Sequence, residues 1–146
     1  MKKEIMKRWV KALRSGKYKK GKGLLCQISG RTGVKSFCCL GVLSDIYKKE
    51  MKRDKKKDCS RLEENYVDAK DGVVPYWNVE GIDAGTLPEA VAKWAGIDTA
   101  NPHWELGYIN TQKHLLSDLN DGIPQSEKSL SFVKIADLIE ENYKDM

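Results

Sequence analysis

Ser36-Phe37-Cys38-Cys39-Leu40-Gly41-Val42-Leu43-Ser44-Asp45-Ile46-Tyr47-Lys48-Lys49 is the least polar stretch of a very polar chain. Leu40, Leu43, Ile46 and Tyr47 recur at steps of three and four, which is one face of a helix. Phe37, Cys38 and Cys39 precede them without a break. The pattern predicts a short extended segment feeding directly into a buried helix that ends near Glu50. Ser36 is a candidate N-cap, and Cys38 is the alternative first position.

Upstream, residues 2–15 predict an amphipathic helix. Ile5, Trp9, Ala12 and Leu13 share a face, while Lys3, Lys7, Lys11 and Arg14 line the remainder, and Gly16 is a natural stop. Lys17-Tyr18-Lys19-Lys20-Gly21-Lys22-Gly23 is a loop dense in positive charge. It lacks the GxxxxGK[ST] spacing of a triphosphate cradle. A short strand over 24–28, a turn over 29–33 and a returning strand over 34–37 predict a hairpin. Residues 48–58 are almost all charged and predict an exposed loop or helix end.

Downstream, 65–69 and 73–79 predict a second hairpin around Lys70-Asp71-Gly72. Thr86-Leu87-Pro88-Glu89 opens a helix with Thr86 as cap and Val91, Ala92, Trp94 and Ala95 inside. His103 to Asn110 predicts a strand, and Thr111 a cap for a short helix holding Leu115, Leu116 and Leu119. A last helix, capped by Ser129 or Ser131, carries Phe132, Ile135, Ala136, Ile139 and Tyr143 on one face. The expectation is an α+β fold: a compact single domain over residues 1–146, with about five helices and two short β-hairpins.

The 146 residues suit one domain with one modest core. At 40% hydrophobic and 32% charged, the composition is that of a globular protein. No apolar run approaches the roughly 20 residues of a membrane span, and the basic N-terminus has no apolar signal core. The expectation is therefore a cytoplasmic chain, mature from Met1, with no membrane partner. Cys26, Cys38, Cys39 and Cys59 show no CxxC pairing, so structural thiols are expected and no metal or cofactor is implied.

The net charge of +5 hides a division. Residues 1–61 hold 20 Lys or Arg against 5 Asp or Glu, a net of +15; residues 62–146 hold 6 against 16, a net of −10. Either the two halves pack with complementary fields, or the basic half faces an anionic ligand. The residues placed for the second role are Arg14, Lys17, Lys19, Lys20 and Arg31 for phosphate, with Tyr18 or Trp77 to stack on a base. The acidic half would repel a long polyanion, which favours a compact anion over nucleic acid. A thiol hydrolase is a more distant alternative, with Cys39 at a helix N-terminus as nucleophile and His103 as base.

Trp9-Val10-Lys11-Ala12-Leu13-Arg14-Ser15-Gly16-Lys17-Tyr18 and Phe37-Cys38-Cys39-Leu40-Gly41-Val42-Leu43 resemble segments of a family of small phage and prophage proteins. So do Leu87 to Trp94, Leu119-Asn120-Asp121, and Ser131-Phe132 with Ile135-Ala136-Asp137. The resemblance covers most of the chain in order and brings no catalytic residues with it. It implies a small accessory protein in the cytoplasm of an infected bacterial host. The expected role is counter-defence: a sponge that sequesters a nucleotide-like signal of CBASS or Thoeris immunity. A protein-binding inhibitor of a host defence complex is the alternative, and homo-oligomers fit either role.

Overall fold

The computed structural model describes residues 1–54, 63–64, 73–75, 77–78, 86–98, 103–105, 113–122 and 129–146. Among the described residues, five helices and seven short strands make an α+β fold in which α2 (Cys39–Arg53) is the central helix. Cys38, not Ser36, is its N-cap: the backbone is extended there, and the Sγ accepts the Gly41 N–H at 3.3 Å. Of the predicted apolar stripe, Leu40, Leu43 and Ile46 are buried and Tyr47 is partly buried, and the helix runs past the expected end at Glu50 to Arg53, with Lys48 and Met51 buried. Gly41 sets how closely the chain crosses this helix, because a Cβ there would lie 1.6 Å from the Leu25 carbonyl oxygen.

The first helix, α1 (Lys3–Arg14), packs against α5 (Phe132–Asn142) and α2. It buries Ile5, Met6, Trp9, Val10 and Leu13 and turns its charged side outward. Trp9 is fully buried, and its indole N–H donates to the Cys39 carbonyl at 3.0 Å. That bond satisfies a polar atom which would otherwise be stranded in the core. Ser131 caps α5, accepting the Lys134 N–H at 3.3 Å. Phe132, Ile135, Ala136 and Ile139 of α5 join the same apolar cluster as α1 and α2. The third helix, α3 (Glu89–Ala95), begins after Pro88 and not at Thr86, and it ends on left-handed Gly96.

Strands β1 (Cys26–Ser29) and β2 (Lys35–Phe37) form the predicted hairpin, with Cys26 opposite Phe37 and Ile28 opposite Lys35. The 65–69 arm and the turn of the second predicted hairpin lie outside the described residues, and what is described of 73–79 makes two pairings. β4 (Val73–Pro75) pairs antiparallel with β1, giving the order β2-β1-β4, while β3 (Glu63–Glu64) pairs with β5 (Trp77–Asn78). The free edge of β1 needs hydrogen-bond partners, and they come from a remote segment that local turn chemistry does not reveal. Residues 65–72 and 55–62 lie outside the described residues. Backbone pairing joins β6 (His103–Glu105) to β7 (Lys113–Leu115), and α4 (Leu116–Asp121) follows at once. The short helix expected from Thr111 therefore starts later, because Lys113 to Leu115 are drawn into a strand. Among the described residues no helix is long and apolar enough to cross a membrane.

Candidate functional site

The basic loop after α1 is an ordered segment fastened on two sides. Gly16 turns the chain out of α1 with φ +69°. Along the loop Lys17 and Lys19 are exposed, while Tyr18, at a bend, and Lys20 are half-buried. The run then joins the sheet as a parallel bridge between Lys20 and Phe37. The Phe37 N–H donates to the Lys19 carbonyl at 2.8 Å, and the Gly21 N–H donates to the Phe37 carbonyl at 2.7 Å. Gly21 has no room for a side chain, since a Cβ would meet the Gln27 amide nitrogen at 2.9 Å and the Phe37 nitrogen at 3.2 Å.

The other fastening is α4. Asn120 is fully buried and tied three ways. Its Oδ1 accepts the Cys39 N–H at 3.1 Å, and its Nδ2 donates to the Gly21 carbonyl at 2.9 Å and to Asp121 Oδ1 at 2.6 Å. One side chain thus joins the start of α2, the basic loop and the end of α4. The ammoniums of Lys20 and Lys22 donate to the carbonyls of Asn120 and Asp121 at 2.5 and 2.7 Å, and the Gly23 N–H donates to Asp121 Oδ2 at 2.9 Å. Carbonyls at a helix C-terminus lack partners within the helix, and cations suit them. Burial lowers the Lys20 pKa, and the nearby Lys22 charge lowers it further.

Tyr18 closes the loop against α2. Its hydroxyl donates to Asp45 Oδ2 at 2.6 Å and accepts from Lys49 Nζ at 3.2 Å. Lys49 also pairs with Asp45 at 2.6 Å. The Tyr18 ring meets Phe37 edge-on at 5.2 Å, and Lys49 Nζ lies 5.2 Å from the Tyr18 ring centroid. Burial, then the bond to Asp45, raises the Tyr18 pKa.

These contacts correct the ligand set expected from sequence. Arg14 is held by Asp137 Oδ1 at 2.5 Å and Glu140 Oε2 at 2.8 Å, so its charge is answered from within the chain. Lys20 is turned toward α4, and Tyr18 has its hydroxyl engaged and its ring contacted. Lys17 and Lys19 remain outward. Arg31 is exposed in the turn between β1 and β2, a different element from the loop. Trp77 supplies backbone to β5, and its side chain lies outside the described residues. Among the described candidates, Arg14, Tyr18 and Lys20 are engaged within the chain, and Arg31 stands on a different element from Lys17 and Lys19.

The thiol alternative loses its chemistry. Cys39 is 0% exposed, and its Sγ lies 3.5 Å from the Leu116 carbonyl. Burial pushes its pKa well above the ordinary thiol value. Burial also raises Cys26 and Cys38 to about 12. A thiolate nucleophile needs the opposite environment. His103 contributes backbone to β6, opposite Leu115, and its side chain lies outside the described residues.

Two features carry more than the sequence reading gave them. Asn120 is a hub, signalled only by an amide placed straight after the buried Leu116 and Leu119. The other is the outer side of α1. Lys3, Lys7 and Lys11 are all exposed, and helical steps of about 100° hold them within about 80° of one another around the axis. Glu4 shares that side and pairs with Lys7 at 3.6 Å, both side chains being largely exposed.

No curated protein and no solved structure matches the chain. A family model does match, over residues 1–143, and its description is Domain of unknown function (DUF8296). With nearly its whole length matched from α1 to the end of α5, the chain belongs to that family.

Proposed function

We propose that this protein is a non-catalytic binder that captures a phosphate-bearing ligand by stoichiometric association. The observation that carries the reading is the ordered basic edge. Lys17 and Lys19 are exposed, Lys19 on backbone bonded to β2 and Lys17 on backbone bonded to Ser15, and among the described residues they take no carboxylate partner. Donors fixed before the ligand arrives bind it at a lower entropic cost than a flexible lysine tail would. Buried, high-pKa thiols support binding over covalent catalysis.

A phage accessory role, in which the ligand belongs to a host immune system, is the setting the sequence resemblance implies. Its narrowest form is a sponge for a compact nucleotide signal. That form needs a concave site and a stacking face, and Tyr18 is a poor candidate for the face.

A thermal shift panel tests the proposal with tripolyphosphate, ADP-ribose, cyclic dinucleotides and a short oligonucleotide. At least one phosphate compound should raise the melting temperature of the wild-type chain, and Lys17→Gln with Lys19→Gln should reduce that rise. Silence across the panel at millimolar ligand sinks the proposal.

A further inference from the structure

We infer that the ligand is a nucleic-acid strand, gripped through its phosphodiester backbone along a ridge of Lys3, Lys7, Lys11, Lys17 and Lys19. This inference rests on the phosphate-capture reading and names its ligand class. The first argument is shape. The outer side of α1 is the convex face of a cylinder, with its apolar side packed on α5 and α2. A convex face cannot enclose a compact guest, whereas a polymer can lie along it.

The second argument is spacing. Four residues of helix rise about 6 Å, and a duplex carries a phosphate about every 3.4 Å of its axis on each strand. A strand alongside α1 therefore offers phosphates at least as closely spaced as Lys3, Lys7 and Lys11, and Lys17 and Lys19 follow in the chain just after α1 with exposed side chains. The third argument is strength. An exposed ion pair contributes little in water, so a compact phosphate touching one or two of these ammoniums is held weakly. A strand engages them together and releases a counterion at each contact.

The acidic half would oppose a polyanion, and its arrangement beside the ridge limits that opposition. Asp137 and Glu140 of α5, the helix packed on α1, are both bonded to Arg14. Glu4 is bonded to Lys7. Glu141 is exposed on α5. With Tyr18 engaged by Asp45 and Lys49, binding goes to the backbone and is indifferent to base sequence.

The test is fluorescence anisotropy of a labelled 20-nucleotide strand and a 20-base-pair duplex with the full chain, from 50 to 200 mM salt. Five ammoniums less Glu4 leave about four phosphate contacts, which gives log–log slopes of about −3 on the single strand and about −3.6 on the duplex. A slope of −3 is a loss of about 60-fold in affinity across that salt range. The Lys3→Gln, Lys7→Gln, Lys11→Gln variant should weaken binding and flatten the slope to about −1, while the matching triple Lys→Arg variant keeps it. Circular dichroism should show all of these variants folded, since the substituted side chains are exposed.

Strand binding that the triple Gln variant leaves unchanged overturns the ridge. Binding of tripolyphosphate or a cyclic dinucleotide with none to either strand overturns the polymer and leaves phosphate capture standing. No binding to any phosphate compound overturns both.

Discussion

Replacing Asn120 by Ala removes one side chain from the point where α2, α4 and the basic loop meet. The amide is fully buried, so water does not take over its bonds. Cys39 N–H loses its acceptor, and the Gly21 carbonyl loses its donor. A buried backbone group left unpaired costs about 1–3 kcal/mol. Two such groups and a small cavity put the destabilisation at about 3–4 kcal/mol. With an m-value of about 2 kcal/mol/M, the urea midpoint should fall by about 1.5–2 M. Asn120→Asp should also destabilise. A carboxylate can accept from Cys39, but it cannot donate to Gly21 and would sit beside Asp121. Hydrogen exchange supplies the local readout: the Gly21 and Cys39 amides should lose protection ahead of those in the middle of α1. A midpoint drop below about 0.5 M at unchanged m would show that the surrounding backbone does not depend on this amide.

Three further outcomes are expected. Gly41→Ala should raise helix stability by roughly 1 kcal/mol on propensity alone, yet the new Cβ would strike the Leu25 carbonyl. A melting temperature at or above wild type refutes that close crossing; the expected result is severe destabilisation or insoluble protein. In a Cys59→Ser background, Cys26, Cys38 and Cys39 should resist Ellman's reagent at pH 8 in the native state and all react in denaturant. A thiol of pKa about 12 has roughly one part in ten thousand as thiolate at that pH, so fast labelling of the native protein would contradict the burial. The Arg8 guanidinium, with the Trp94 indole N–H, holds the Glu50 carboxyl below its ordinary value. Its stabilisation is present above the unfolded carboxylate pKa of about 4.3 and is lost as pH falls through the folded value. Glu50→Gln should therefore cost up to about 1 kcal/mol at pH 7, the cost should shrink as pH falls below the unfolded value, and a gap between the two proteins that widens toward acid contradicts this sign.

Helices α1, α2 and α5 were legible because local signals agree in each. The apolar period matches 3.6, a polar or small residue precedes the first turn, and the charged positions fall on the far side. The β1–β2 hairpin was legible for a similar local reason, a glycine-bearing turn between two short runs. The pairing of β4 with β1 was not, since nothing within 73–79 says which edge needs its hydrogen bonds. Asn120 escaped for the same reason: an amide at a helix end reads as a polar terminus until the fold brings residues 21 and 39 to it.

The charge division was visible in the sequence; its destination was not. Arg14 meets Asp137 from 123 positions away, and Lys20 meets the Asn120 carbonyl from 100. A long, flexible cation takes the acceptor the fold places within reach, and local pattern does not identify that acceptor. Complementary packing of the halves and an outward anionic ligand were framed as alternatives. The structure shows internal pairing for some of the cations and leaves others exposed. On the loop, Tyr18 and Lys20 go inward to α2 and α4, where Asp45 and the Asn120 carbonyl meet them, and Lys17 and Lys19 stay exposed. On α1, phase does not separate them: Arg14 falls between Lys3 and Lys7 around the axis, but at the C-terminal end of the helix it meets Asp137 and Glu140 of α5, while Lys3, Lys7 and Lys11 are exposed. The internally paired group answers the acidic half, so the residues that remain for a ligand are the exposed lysines. That is why the ligand is sought along an outer ridge, and why the internally paired cations, Lys20 and Arg14, are excluded from it.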